Sequence, residues 1–432
     1  MKKAKWLTDK YICLILLVFP LWTGFEGYTS ITRSKYLFFL IATLLWLGGL
    51  LACLLLAGAR IPRLRAGDWC ALAFVVAAAL STALSPWKEG IFVGASRYDG
   101  LLTLTLYGCI FWGVSAFGEF RLRYVNLSAV ACTLCCAVAV GQLAGCGWLF
   151  PQGLNYYDSG VLYTGAFLGT IGNTDVLTAY LSLCVPAFLF TAAHGHSRRE
   201  LWLLLPAGLG LTIIWRSGVA AGAVAMAACV LICVPYYVNQ HFQRRKLTRI
   251  FAALSLALVA VGLMTLYFWP GNSGTLWELS RVLHGEIQDS FGSSRVAIWR
   301  ESLRLAAEHP LTGGGPDTFS ARSALNFSRY VPESGLTLAV HVDNAHNEFL
   351  NYLVNLGLAG LLPYLALLTV CCRHWLRGAC PAIGCALVGY LAQSFFGLGL
   401  CLVVPIAWIF LGLISARTKG TIFNGTVCKK DP

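Results

Sequence analysis

The stretch YLFFLIATLLWLGGLLACLLLAG, residues 36–58, runs for 23 positions without a charged side chain. Wound as an α-helix it is roughly 34 Å long, at about 1.5 Å per residue. The hydrocarbon core of a bilayer is about 30 Å thick. A helix on the surface of a soluble protein keeps one polar face, and this one has none. Residues 36–58 therefore read as a membrane span, and similar blocks recur on either side of them.

Counted outward, the apolar blocks fall near 11–27, 36–58, 69–85, 100–117, 127–149, 174–193, 201–215, 217–238, 250–269, 349–371, 381–397 and 400–416. Two long runs exceed one crossing. The run 201–238 divides at Arg216 and the run 381–416 at FFGLGL, residues 395–400. The expected fold is an all-α polytopic membrane protein with about twelve transmembrane helices. Composition agrees, with 57% hydrophobic and only 12% charged residues, where a soluble domain carries about 25% charged. The opening MKKAKWLTDK is basic and leads into an apolar block. Phe25, Glu26 and Tyr28 occupy the place where a signal peptide shows small residues, so the block reads as a first span.

Orientation follows from the excess of Lys and Arg in cytoplasmic segments. With both termini inside, 21 of the 32 basic residues fall in inner segments, and 14 of the 19 acidic residues fall outside. The net charge of +13 is thus a topological signal, and nucleic acid is not an expected partner. The chain is expected in the cytoplasmic membrane. Of the 17 cysteines nearly all lie inside spans, including Cys132, Cys135 and Cys136, and read as small apolar filler.

Three regions result: 1–269 with nine spans, a loop at 270–348, and 349–432 with three spans and a cytoplasmic tail. The large extracytoplasmic loop is expected to hold short helices. SRVAIWRESLRLAAEH (294–309) has helical spacing of apolar residues, with Ser293 or Ser294 as its cap. Pro310 and TGGGPD end it, and a second helix is expected over Phe319 to Phe327.

The ionisable groups gather outside. GGGPDTF (313–319) lacks the Lys-Ser/Thr of a phosphate-gripping loop. His341 and His346 are five apart without further metal-binding partners, so neither metal nor cofactor is expected. Arg97, Arg216 and Arg295 lie outside, where arginine is scarce. Each can snorkel to the interface, and each can grip phosphate oxygens through two parallel hydrogen bonds. His346 stands at a helix mouth, as a structural residue or as a proton acceptor near neutral pH.

The segment HNEFLNYLVNLGLAG (346–360) resembles the signature of the O-antigen ligase and polymerase family: His-Asn, nine residues, then Gly-x-x-Gly. Further segments are similar to elements of that family: SRVAIWRESLRLAAEHPLTGGGPDTF (294–319), SRYDGLL (96–102) and GTIGNTDVLTAYLSL (169–183), the last with Asp175 where the family has Asn. WRSGVAAG (215–222) is similar to the Ser-Arg-Gly-Ala element with its first two residues exchanged. The resemblance implies a GT-C-like glycosyltransferase that moves a glycan from undecaprenyl diphosphate to an acceptor hydroxyl on lipid, protein or glycan. It implies His346 and Arg295 as catalytic residues and Arg97, Arg216, Asn347, Trp299 and Asn173 as substrate-binding ones. A polymerase of lipid-linked repeats is the alternative. A lipid-linked sugar transporter is the second, although transporters place ionisable groups near the midplane and these spans are almost free of charge.

Overall fold

The computed structural model describes residues 1–56, 62–95, 97–146, 155–158, 161–164, 167–195, 198–331, 336–397 and 399–417. The far ends of the apolar blocks at 57–58 and 147–149, and the tail beyond Arg417, lie outside the described residues.

Each apolar block holds a helix. In chain order the first nine are α1 (Lys2–Leu17), α2 (Ile31–Leu56), α3 (Ala66–Leu84), α4 (Leu101–Phe117), α5 (Leu122–Leu143), α6 (Thr174–His194), α7 (Leu204–Ser217), α8 (Ala220–Phe242) and α9 (Arg245–Tyr267). The long connection adds α10 (Gly274–Leu283), α11 (Phe291–Glu308) and α12 (Phe319–Arg322). The chain then closes with α13 (Glu348–Leu376), α14 (Pro381–Ser394) and α15 (Val404–Ile414). Among the described residues seven helices are long and apolar enough to cross a membrane. α4 and α15 are apolar but shorter. α1 starts nine residues before the first apolar block. Its face of Ala4, Thr8, Tyr11, Ile12 and Ile15 is buried at helical spacing, and Pro20 sits in the turn that follows.

The burial pattern needs lipid. α6 is almost wholly enclosed, packed between α7, α8 and α14. α9 is apolar from Ile250 onward yet has no buried residue, a surface that water would penalise and hydrocarbon does not. The chain is a multi-pass membrane protein.

Two β-hairpins interrupt the expected all-α pattern. Strand β1 (Asn155–Asp158) pairs with β2 (Val161–Thr164), and β3 (Asn326–Val331) with β4 (Leu336–His341). The second begins inside the helix expected over Phe319–Phe327, which stops as α12 at Arg322. Ser323 Oγ accepts the Leu325 amide at 3.1 Å, and that local bond competes with a further helical turn. The pairing of Asn326 with His341 then takes over.

A second correction concerns the start of α11. Ser293 and Ser294 do not cap it. With Gly292 they form a left-handed turn at φ 57, 65 and 63 respectively, so right-handed helix begins at Arg295. Glu278 Oε2 takes the Gly292 amide at 2.9 Å.

α13 carries the junction between loop and membrane. It breaks at Gly357, with φ 65 and ψ −167. Only glycine holds that geometry without strain, and a Cβ there would strike the Leu311 carbonyl. The freed backbone groups bond the loop instead. The amides of Leu358 and Ala359 reach the carbonyls of Pro310 and Leu311 at 2.9 and 3.0 Å. The amides of Gly314 and Gly315 reach Val354 and Asn355 at 3.0 and 2.9 Å. Ile298, Leu305 and Phe319 pack with Val342, Ala345 and Val354 beneath.

Candidate active site

Four segments meet at the mouth of α13: residues 97–100, the left-handed turn before Arg295, the approach 341–347, and the turn after α14. Arg97 Nε bonds Asp343 Oδ2 at 2.7 Å, joining positions 246 apart in the chain. The Arg97 amide bonds Asp317 Oδ2 at 3.2 Å. Arg295 donates from Nε to the Phe396 carbonyl at 3.0 Å and from Nη1 to the Gly292 carbonyl at 2.8 Å. These bonds fix its guanidinium at the start of α11.

His346 lies between these cations. Its amide donates to Asn344 Oδ1 at 2.8 Å, and its backbone is left-handed at φ 46. Burial lowers its pKa to about 4; Asp343 opposes that shift, while Arg295 and Arg97 reinforce it. The imidazole is therefore neutral at physiological pH. Arg97, Arg295 and His346 thus share one electrostatic site. Asp343 serves Arg97 and Asn344 rather than a shared helical turn with His346, because α13 starts only at Glu348.

Arg216 ends α7 and is exposed. Ser217 beside it lies 3.4 Å from Thr178, one turn into α6. Among the described residues no hydrogen bond or ion pair joins Arg216 to His346, Arg97 or Arg295. Asn173 caps α6, its side chain accepting the amides of Asp175 and Val176 at 2.8 and 3.1 Å. Asn347 caps α13 through the Leu350 amide at 3.0 Å. Trp299 packs against Phe395 and Phe396, with ring centroids 5.9 and 6.0 Å away, behind the carbonyl that holds Arg295. His341 has both ring nitrogens engaged, by Asn326 at 2.9 Å and by the Ser320 carbonyl at 2.8 Å. It ties the hairpin to α12.

Behind His346 lies a small polar cavity that the sequence reading missed. Arg97, Asp99, Asp317, Asn347, Glu348 and Asn351 line it. Glu348 is 4% exposed and accepts Tyr364 and Tyr390 hydroxyls at 2.6 and 2.7 Å. Burial pushes the Asp99 carboxyl well above the usual range; Asp317 and Glu348 add to the shift and Arg97 opposes it. All three acids stand inside motifs quoted above, SRYDG, GGGPDTF and HNEF. Among the described residues no three His, Cys, Asp or Glu side chains are arranged to hold a metal ion.

Backbone strain collects here. Of seven non-glycine residues with positive φ among those described, five are Tyr98, Ser293, Ser294, Asp317 and His346. Each costs about 1–3 kcal/mol and survives only where surrounding contacts over-determine it.

No curated protein matches the chain. The family model described as O-antigen ligase matches residues 162–365, a span that takes in Arg216, Arg295, His346 and Gly357, and that part of the chain is similar to the O-antigen ligases.

Proposed function

We propose that this protein transfers a glycan from undecaprenyl diphosphate to an acceptor hydroxyl at the extracytoplasmic face of the cytoplasmic membrane, as a ligase. The observation that carries this reading is the convergence of Arg97, Arg295 and neutral His346 at one membrane surface. In the transfer the bond between the anomeric carbon and the diphosphate oxygen breaks. A bond from that carbon to the acceptor oxygen forms. The electron pair leaves with the diphosphate, and fixed guanidinium groups stabilise it because they need no reorganisation as charge develops. The acceptor proton passes to the His346 imidazole. Trp299 backs this centre through Phe396, Arg216 is assigned to the donor from the end of α7, and the two capping asparagines hold their helices in place. The test is transfer by the purified protein from undecaprenyl-diphosphate glycan to candidate acceptors. Transfer onto a lipid, protein or wall acceptor marks a ligase. Chain growth on a second lipid-linked repeat instead would make it a polymerase.

Because arginines supply the positive charge, transfer is expected to proceed undiminished in excess EDTA. Activity that returns only on adding magnesium or manganese would contradict this. The topology has its own test. Ser273 is exposed at the start of α10, and residues 270–348 contain no cysteine. Ser273→Cys should react with an impermeant thiol reagent in intact cells, above the level of the parent protein. Reaction only after lysis would put the site on the cytoplasmic side.

A further inference from the structure

A second cavity lies at the other ends of the helices that hold His346. α3 runs from Arg65 to the loop of Arg97, and α13 runs from Glu348 beside His346 to Leu376. The two pack together. Where they end remote from His346, Arg65, Asp68, Val370, His374 and Ser415 enclose a volume of about 280 Å³. At 1.5 Å per residue the 19 residues of α3 separate this place from Arg97 by roughly 28 Å, close to the bilayer thickness.

Among the described residues its charge is unbalanced. Asp68 is already satisfied: Arg417 Nη2 reaches it at 2.8 Å, Ser115 Oγ at 2.6 Å and the Arg65 amide at 2.9 Å. Arg417 is held in turn by its amide on the Ser115 carbonyl at 3.0 Å, and its Nε is buried without a partner among the described residues. Arg65 and Arg377 both lie close enough to act on His374. Among the described residues Arg65 lines the half-enclosed space, Arg377 and Arg417 lie close behind it, and the one carboxylate there, Asp68, is already occupied. Such a space favours an anion, and guanidinium forks match phosphate oxygens. Next to it in the chain stand Trp69, 58% exposed, and Leu376, 57% exposed. An indole at this level is typical of a membrane–water interface.

We propose that this cavity binds the headgroup phosphate of an anionic phospholipid in the leaflet opposite His346. Arg65 and His374 grip the phosphate, and the acyl chains lie against the apolar exteriors of α3 and α13. The site stands apart from glycan transfer and does not depend on it.

The experiment uses the full-length protein in detergent, with three probes added separately: phosphatidylglycerol, phosphatidylcholine and inorganic phosphate. Binding is read by native mass spectrometry and by the thermal midpoint. Phosphatidylglycerol should bind and raise the midpoint most. The double variant Arg65→Gln/His374→Gln should bind it at least about tenfold more weakly, since the loss of a single charge-assisted hydrogen bond already costs that much and both grips are removed. Arg63→Gln, an exposed arginine nearby, should bind like the parent. The lipid-free midpoint of each variant shows whether it is folded, and Arg65→Lys supplies a milder change that keeps the charge. Equal phosphatidylglycerol binding by parent and double variant would overturn the proposal. So would an equal loss in Arg63→Gln, which would mark general surface charge. Equal protection by inorganic phosphate would overturn the lipid assignment in favour of a soluble anion.

Discussion

His346→Ala is expected to lose about 10²–10⁴-fold in transfer rate, the usual consequence of removing a general base. Protein level and insertion should match the parent. His341→Ala is the matched control, since its ring is spent on Asn326 and the Ser320 carbonyl and it should stay largely active. Steady-state transfer by the two purified variants decides the matter, and parental rates in His346→Ala would remove the active site from this position. The pH profile gives an independent reading. Burial, with Arg295 and Arg97 adding to it, lowers His346 to about 4. The neutral form is the competent one, so activity is lost as pH falls through that value. The acid limb of kcat/KM, which reports free enzyme, should therefore lie near pH 4. A bound diphosphate offsets the two arginines, so the acid limb of kcat should sit at higher pH. Coincident limbs would show that no anion binds beside the imidazole.

Arg295→Lys is expected to cost at least about 10²-fold in kcat, the loss typical of one donor aimed at developing negative charge. Lysine keeps the charge. It cannot reach the Phe396 and Gly292 carbonyls together in the planar geometry that guanidinium uses now. Arg300→Lys lies one and a half turns along the same helix, exposed and paired with Asp289, and should behave as the parent. Arg295→Ala adds a second readout. It removes one of the cations that depress His346, so the acid limb of kcat/KM should move to higher pH, while Arg295→Lys should leave it in place. Full activity in either variant would exclude Arg295 from the donor site.

The membrane character was legible because it rests on composition, and a charge-free run such as 36–58 has few other destinations. The start of α1 was not, because four lysines in its first ten residues disguise a helix whose buried face begins at Ala4. The hairpin β3–β4 was hidden because its stability comes from partners on the facing strand rather than from local spacing. The meeting of Arg97 with Asp343 was hidden by the 246 positions between them. The candidate catalytic residues were named because motifs carry them. The acids behind them were passed over because a carboxylate in a motif looks the same whether it faces water or a closed cavity. Ser293 and Ser294 had the chemistry of caps and took the left-handed turn instead, since Arg295 Nη1 holds the Gly292 carbonyl there.

The break at Gly357 redraws the boundary between exchangeable parts of this chain. Val354 and Asn355 of α13 accept the amides of Gly314 and Gly315, and the amides of Leu358 and Ala359 bond to Pro310 and Leu311. The outer end of that helix is therefore built as a piece of the loop, although its sequence is continuous with the membrane segment. A chimaera that swaps acceptor preference between relatives by grafting the loop at Glu348 would sever this backbone ladder. A graft that runs through Gly360 would carry it whole. The natural module ends at the break inside α13, and recombination or design that respects that seam inherits a loop already seated on its own support.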